Sequence, residues 1–97
     1  IPLYHRRWAG RTVSTGTWME AQELAWKWKT GSRLDSLHHE PVIRFREPAI
    51  DHEVWFSNAA SVRRRIALAR QYRLRGYSAW RIGQEDPNVW TEGLTTP

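Results

Sequence analysis

The chain has 97 residues with 40% hydrophobic and 26% charged residues, enough for one small domain or a part of a larger one. No run approaches the roughly 20 apolar residues of a membrane helix, the N-terminal residues carry no secretory signal, and the absence of Cys excludes disulfides and thiolate metal sites. The net charge of +5 is carried almost wholly by Arg, since Lys27 and Lys29 are the only lysines, and seven Trp make the composition unusual.

Ile1-Pro2-Leu3-Tyr4 reads as a short buried strand, entered as if in mid-domain, so the chain is expected to be a piece of a larger fold. The segment from His5 to Gly16 reads as polar, Gly-bearing loop. Thr17-Trp18-Met19-Glu20 is a capping box, and Trp18, Ala21, Leu24, Ala25 and Trp28 follow with helical spacing until Gly31 stops the helix. After an extended stretch from Arg33, residues 42–46 and 52–56 predict a hairpin around Pro48. Ser57 or Asn58 caps a second helix to about Tyr72, with Ala59, Val62, Ile66 and Ala69 on one face. Gly76 ends the connection and eases entry into a last strand, Tyr77 to Ile82, while Gly83 to Trp90 is loop and 91–97 a polar tail. The order strand, helix, hairpin, helix, strand describes a β-α-β crossover with an inserted hairpin, whose two strands need further partners to form a covered sheet.

Arg63-Arg64-Arg65 invites a nucleic-acid reading, but consecutive helical residues point about 100° apart, so the three splay instead of forming a patch. A solvated face plus one partly buried, paired Arg65 accounts for them better, and no nucleic-acid-binding motif accompanies them. His5, His38, His39 and His52 lie in no metal-ligand frame and read as surface or hairpin histidines. Asp51 and Glu53 share a strand face, yet they precede a strand, whereas catalytic carboxylates of parallel α/β folds follow one. Glu85-Asp86 sits at the right end of a strand, although such a post-strand loop pair is commonly an exposed or a helix-capping pair. Trp80 has two readings from spacing alone: a core residue, which composition favours, or a flat ring at the mouth of a parallel sheet on which a sugar or base stacks.

The stretch HEVWFSNAASVRRRIALARQYRLRGYSAWRIGQEDPNVW, residues 52–90, resembles the closing segment of family-18 glycoside hydrolases, the chitinase-like enzymes, and their bacterial spore-cortex and peptidoglycan-active N-acetylglucosaminidase branch above all. His52, Val54, Trp55, Phe56, Ser61, Leu74, Gly76, Trp80, Ile82 and Gly83 carry the resemblance, and IPLYHRRW, TWMEAQELA and LDSLHHEPVIRF extend it over residues 1–90. His5 stands where the family usually has Gly, crowding the loop beside the site, Arg65 where it has Lys, and Arg73 where Gly commonly ends the helix. The catalytic D-x-x-D-x-E is missing: Asp51-x-Glu53 matches only its tail, with Pro48 in place of the first Asp.

The resemblance implies an α/β chain forming the C-terminal portion of a TIM (β/α)8 barrel, its last strands and helices, with a β-hairpin insertion. It implies a substrate-assisted retaining mechanism in the family, with the acid supplied from outside this chain. Trp80 then becomes the floor of the reacting-sugar subsite, with Tyr4 and Trp8 as cleft-wall candidates by position. The expected partners are an N-acetylglucosamine-containing glycan, chitin or peptidoglycan, and the remainder of the barrel or another copy of the chain. No catalytic residue, cofactor, metal or membrane is expected. A non-catalytic carbohydrate-binding or interaction module is the alternative, and a basic nucleic-acid-binding domain stands behind it.

Overall fold

A computed structural model describes residues 1–92 of the chain. Its body is a five-stranded antiparallel sheet of order β2-β1-β5-β4-β3, built from His5–Ala9 (β1), Thr12–Gly16 (β2), Arg33–Asp35 (β3), Glu40–Glu47 (β4) and Ile50–Trp55 (β5). Two helices accompany it, Trp18–Lys27 (α1) and Ala59–Gln71 (α2), with a single 3-10 turn at Pro87–Val89.

The expected hairpin exists, in a longer form. Val42 faces Trp55, Arg44 faces Glu53 and Glu47 faces Ile50, so only Pro48-Ala49 remain as the turn. The stretch expected as loop is a second hairpin, in which His5 opposes Gly16 and Ala9 opposes Thr12 around Gly10 at φ 60°. Edge strand β2 is exposed at four of its five positions, so it carries none of the apolar alternation that marks a strand. Gly16 is required by its neighbour: a Cβ there would land on the His5 imidazole, which is buried and hydrogen-bonded through Nδ1 to the Thr17 carbonyl at 2.7 Å. The expected hairpin insertion is therefore the centre of a whole antiparallel sheet.

One sheet face is closed by α1. Ala21 packs with Ile43, Val54 and Phe56, and Trp18, Leu24, Ala25 and Phe45 surround them. The Thr17–Glu20 capping box forms as expected, and it holds the Glu20 carboxyl below its ordinary value chiefly through the Thr17 amide. Gly31 is not the stop. Lys29 takes the left-handed position at φ 50°, the Lys29 amide reaches Trp26 O and the Thr30 amide reaches Ala25 O. Helix α2 ends the same way, with Arg73 at φ 53° and the Leu74 amide on Ala69 O. These are Schellman motifs whose hydrogen bonds hold a non-glycine residue where Gly is preferred.

The parallel part of the molecule is slight. Pro2 bridges Trp80 in parallel, with the Trp80 amide on Ile1 O at 2.9 Å and the Leu3 amide on Trp80 O. Helix α2 covers this ribbon on one side, where Leu3, Ala59, Val62, Ile66 and Val89 form a second buried cluster. Gly76 has open space around it and no left-handed φ, so the chain there does not depend on glycine. Of the tail expected over 91–97, Thr91 and Glu92 still turn onto Asn88 O, and 93–97 lie outside the described residues.

Candidate functional site

Burial alternates from Pro2 to Arg6, with Leu3 and His5 inside and Pro2, Tyr4 and Arg6 on the other side. Trp80 is the bridge partner of Pro2 and shares its side of the ribbon, opposite the Leu3 side that α2 covers. Its backbone is held by both neighbours of Pro2 while its ring is 66% exposed, so Trp80 is not a core residue. Tyr4 is half-buried two residues beyond Pro2.

Trp8 stands elsewhere. It lies on β1 opposite Glu53, on the sheet face that α1 leaves open, and lines a cavity of about 280 Å³ with Arg6, His38, Glu40 and Trp55. Tyr4 and Trp80 do not line that cavity. Arg6 and Glu40 were not singled out in the sequence, and His38 and Trp55 were named there only as a surface or hairpin histidine and as part of the family resemblance, not as site residues. The signal for Arg6 and Trp8 was their i, i+2 spacing, legible only once the stretch is known to be a strand.

The floor of this cavity is charged and organised. Glu40 is buried and receives the Arg6 guanidinium at 2.8 Å and that of Arg65 at 3.0 Å, so one carboxylate ties β1 and β4 to α2. Arg65 also donates to Ser57 Oγ at 3.3 Å, while Arg63 and Arg64 point to solvent, the splay expected from helical geometry. Trp55 is fixed on three sides: its indole N–H donates to Glu53 at 3.3 Å, Arg44 lies over its ring, and His38 meets it edge-on at 5.4 Å.

The four carboxylates weighed in the sequence are each tied down by ion pairs or hydrogen bonds. Arg44 and then the Trp55 indole hold the Glu53 carboxyl below its usual range, and exposed Asp51 pairs with Arg46 at 3.5 Å. Burial works against the Glu85 carboxylate, but the amides of 85, 83 and 84 and the Trp90 indole outweigh it and keep that carboxyl low. Asp86 is buried as a cap, accepting from the Ala59 amide at 2.9 Å and the Asn88 amide at 3.0 Å. The histidines expected as surface or hairpin residues divide: His38 is exposed, whereas His5 and His52 are buried within the β1–β2 and β4–β5 hairpins. His52 stacks on Phe45 at 4.6 Å and accepts from Arg7 Nε at 3.2 Å, an aromatic strut within the sheet. Among the described residues, no three His, Asp or Glu side chains gather as a metal site.

A parallel bridge between the first and last segments, covered by a helix, with an antiparallel sheet inserted between them and an exposed Trp at the bridge, makes an α/β segment. No family model matches the chain. Over 71 residues it is 34% identical to the cortical fragment-lytic enzyme of Bacillus anthracis, covering 72% of this chain and 16% of that enzyme. In solved structures it follows the Bacillus megaterium spore cortex-lytic enzyme SleL with a TM-score of 0.82 and 28% identity, over 94% of this chain and 23% of SleL. It follows the Chromobacterium violaceum chitinase with a TM-score of 0.83 and 28% identity, over all of this chain and 32% of that one. The chain is thus a partial family-18 glycoside-hydrolase segment, spanning about a sixth to a third of its relatives' length.

Proposed function

We propose that residues 1–90 are the C-terminal part of a family-18 glycosidase barrel, the Ile1–Leu3 and Ser78–Trp80 segments being its last two strands. In this reading the chain supplies the aromatic floor for a β-1,4-linked N-acetylglucosamine polymer, and the acid that protonates the leaving oxygen comes from elsewhere in the barrel. The observation that carries it is Trp80: its backbone is fixed in the parallel bridge while two thirds of its ring remains open. The apolar C–H face of a pyranose packs on the electron-rich face of an indole, and a ring with a pinned backbone loses little freedom on binding. Tyr4 shares the Trp80 side, and Trp8 with Trp55 walls the cavity along the sheet.

A second observation supports the barrel. Leu68, Tyr72, Leu74 and Tyr77 are exposed around an apolar groove of about 530 Å³ with Ile1 at its end, a surface suited to the helices and strands of the remaining barrel. The chain covers only a part of its relatives, so the remainder of such a barrel, or a second copy, is the partner this groove fits.

The test uses the seven indole N–H signals of the chain in a titration with an N-acetylglucosamine tetrasaccharide. The Trp80 signal is expected to move with millimolar affinity, Trp80→Ala to abolish the sugar-induced shifts of the backbone amides around Pro2–Tyr4 and residue 80, and Trp80→Phe to keep part of them. A Trp80 signal that stays still at saturating sugar would refute the platform. The chain alone is expected to leave a chromogenic chitobioside intact, and turnover by pure protein would place an acid within these residues.

A further inference from the structure

Trp26 is the most exposed large apolar side chain among the described residues, at 87%. It lies on the face of α1 turned away from the sheet, five residues or about 140° from buried Ala21. An indole is costly to leave in water, and nothing in the sheet packing requires one here. The ring lines an open cleft of about 730 Å³ with Gln22, Ala25, Lys27, Lys29 and Thr30. Gln22 Nε2 is occluded and has no hydrogen-bond partner, an unsatisfied amide against that cleft.

The chemistry of this cleft selects its occupant. A protein partner would be met by a broad apolar patch, whereas the apolar surface here is one indole plate with Ala25 and the aliphatic stems of Lys27 and Lys29, edged by the Gln22 amide, the Lys29 ammonium and the Thr30 hydroxyl. One flat ring ringed by polar hydrogen-bonding ends suits a pyranose: C–H face on the indole, acyl and hydroxyl oxygens towards the rim. The unpaired Gln22 amide lowers the cost of turning towards such an acceptor, because the turn breaks no existing hydrogen bond. Lys29 enters at the lip, held at left-handed φ by the helix end, and Lys27 leans over the Trp28 ring.

We propose that the outer face of α1 is a second carbohydrate-binding site, separate from Trp80, where Trp26 stacks on an N-acetylated polysaccharide and Gln22 and Lys29 bind its oxygens. Its role is to hold the chain on an insoluble polymer at a point remote from the Trp80 ribbon, with which it shares no lining residue. The inference rests on the glycan reading above, and the experiment separates the two.

Wild-type chain, Trp26→Ala, Gln22→Ala and Trp80→Ala are compared in the indole titration and in co-sedimentation with insoluble chitin and purified peptidoglycan. Trp26→Ala is expected to lower the bound fraction about fivefold and Gln22→Ala about threefold, with the Trp80 shift on soluble tetrasaccharide kept. Backbone spectra verify the fold, which an exposed side chain should not disturb. Movement at Trp80 with Trp26 unmoved and retention unchanged overturns this site and leaves the glycan reading standing. Movement at Trp26 alone supports this site and removes the Trp80 platform, and silence at both removes both. A concentration-dependent dimer in light scattering that Trp26→Ala dissolves would reassign the face to a second copy of the chain.

Discussion

The sheet with α1, residues 5–56, and the ribbon with α2, residues 1–3 and 57–92, are stabilised in different ways. The sheet is cross-linked through every strand, with five residue pairs between β1 and β2, four between β1 and β5 and six between β4 and β5, and its α1-facing core is closed. The ribbon has one parallel bridge, and around it Leu68, Tyr72, Leu74, Tyr77, Trp80 and Ile82 lie open. A sheet face sealed by its own helix needs nothing more, whereas a two-stranded ribbon covered on one side leaves an apolar side for something else. The part that most resembles an independent domain is therefore the insertion, and the part proposed to carry the Trp80 platform is the incomplete one.

The sharpest way to break this comparison is a pair of substitutions. Ile43 is fully buried in the sheet core, so Ile43→Ala should cost about 3–4 kcal/mol, most of a small domain's stability, read as a collapse of the urea midpoint. Leu74 is 62% exposed, and Leu74→Ser should leave the midpoint within about 0.5 kcal/mol while reducing self-association in light scattering. A large loss at Leu74 would mean that the groove is already filled within the chain.

Much of the sheet half was legible, and the reasons for the failures are local. The Thr17–Glu20 box, the Asn58 cap and the Val42-to-Trp55 hairpin all carry their determinants within a few residues. The β1–β2 hairpin was not legible, because β2 is an exposed edge without apolar alternation and its determinant is the fit of Gly16 to a His5 ring eleven residues away. At the candidate site, Trp80 was singled out by resemblance and not by spacing, which favoured a core Trp. Glu40 escaped notice, and Trp55 was noted only for the resemblance, because their cavity is made by strands distant in sequence, β1 and β4–β5, meeting on one face. Trp26 had no signal beyond being apolar on the wrong side of an amphipathic helix.

The join between the two regions is the next place to press. Glu40 holds Arg6 of the sheet and Arg65 of α2, and the Trp18 amide reaches Gln84 O at 2.8 Å. Glu40→Gln leaves two guanidinium groups without their shared carboxylate. Both are about a quarter to a third exposed, so water recovers part of the loss and the cost should be about 2 kcal/mol. Hydrogen exchange should then report the loss selectively: α2 amides open faster while β4–β5 amides keep their protection. Uniform loosening would show that the two regions form one cooperative unit and that the comparison drawn above does not hold energetically.

The smallest effect tests the same contrast at two equivalent points. Lys29 and Arg73 both occupy the left-handed position of a Schellman helix end, φ 50° and 53°, and both are exposed. Replacing either with Gly removes a Cβ penalty of about 1 kcal/mol, partly offset by the greater freedom of Gly in the unfolded chain. Lys29→Gly acts in the closed half, where α1 unfolds with the sheet, so its gain of about 0.5 kcal/mol should appear in the global urea midpoint. Arg73→Gly acts where α2 runs out beside the open groove, and its gain should appear first as slower exchange of the last α2 amides. If it raises the global midpoint as much as Lys29→Gly does, α2 is as firmly coupled to the sheet as α1, and the Glu40 clamp is strong enough to make the two regions fold as one.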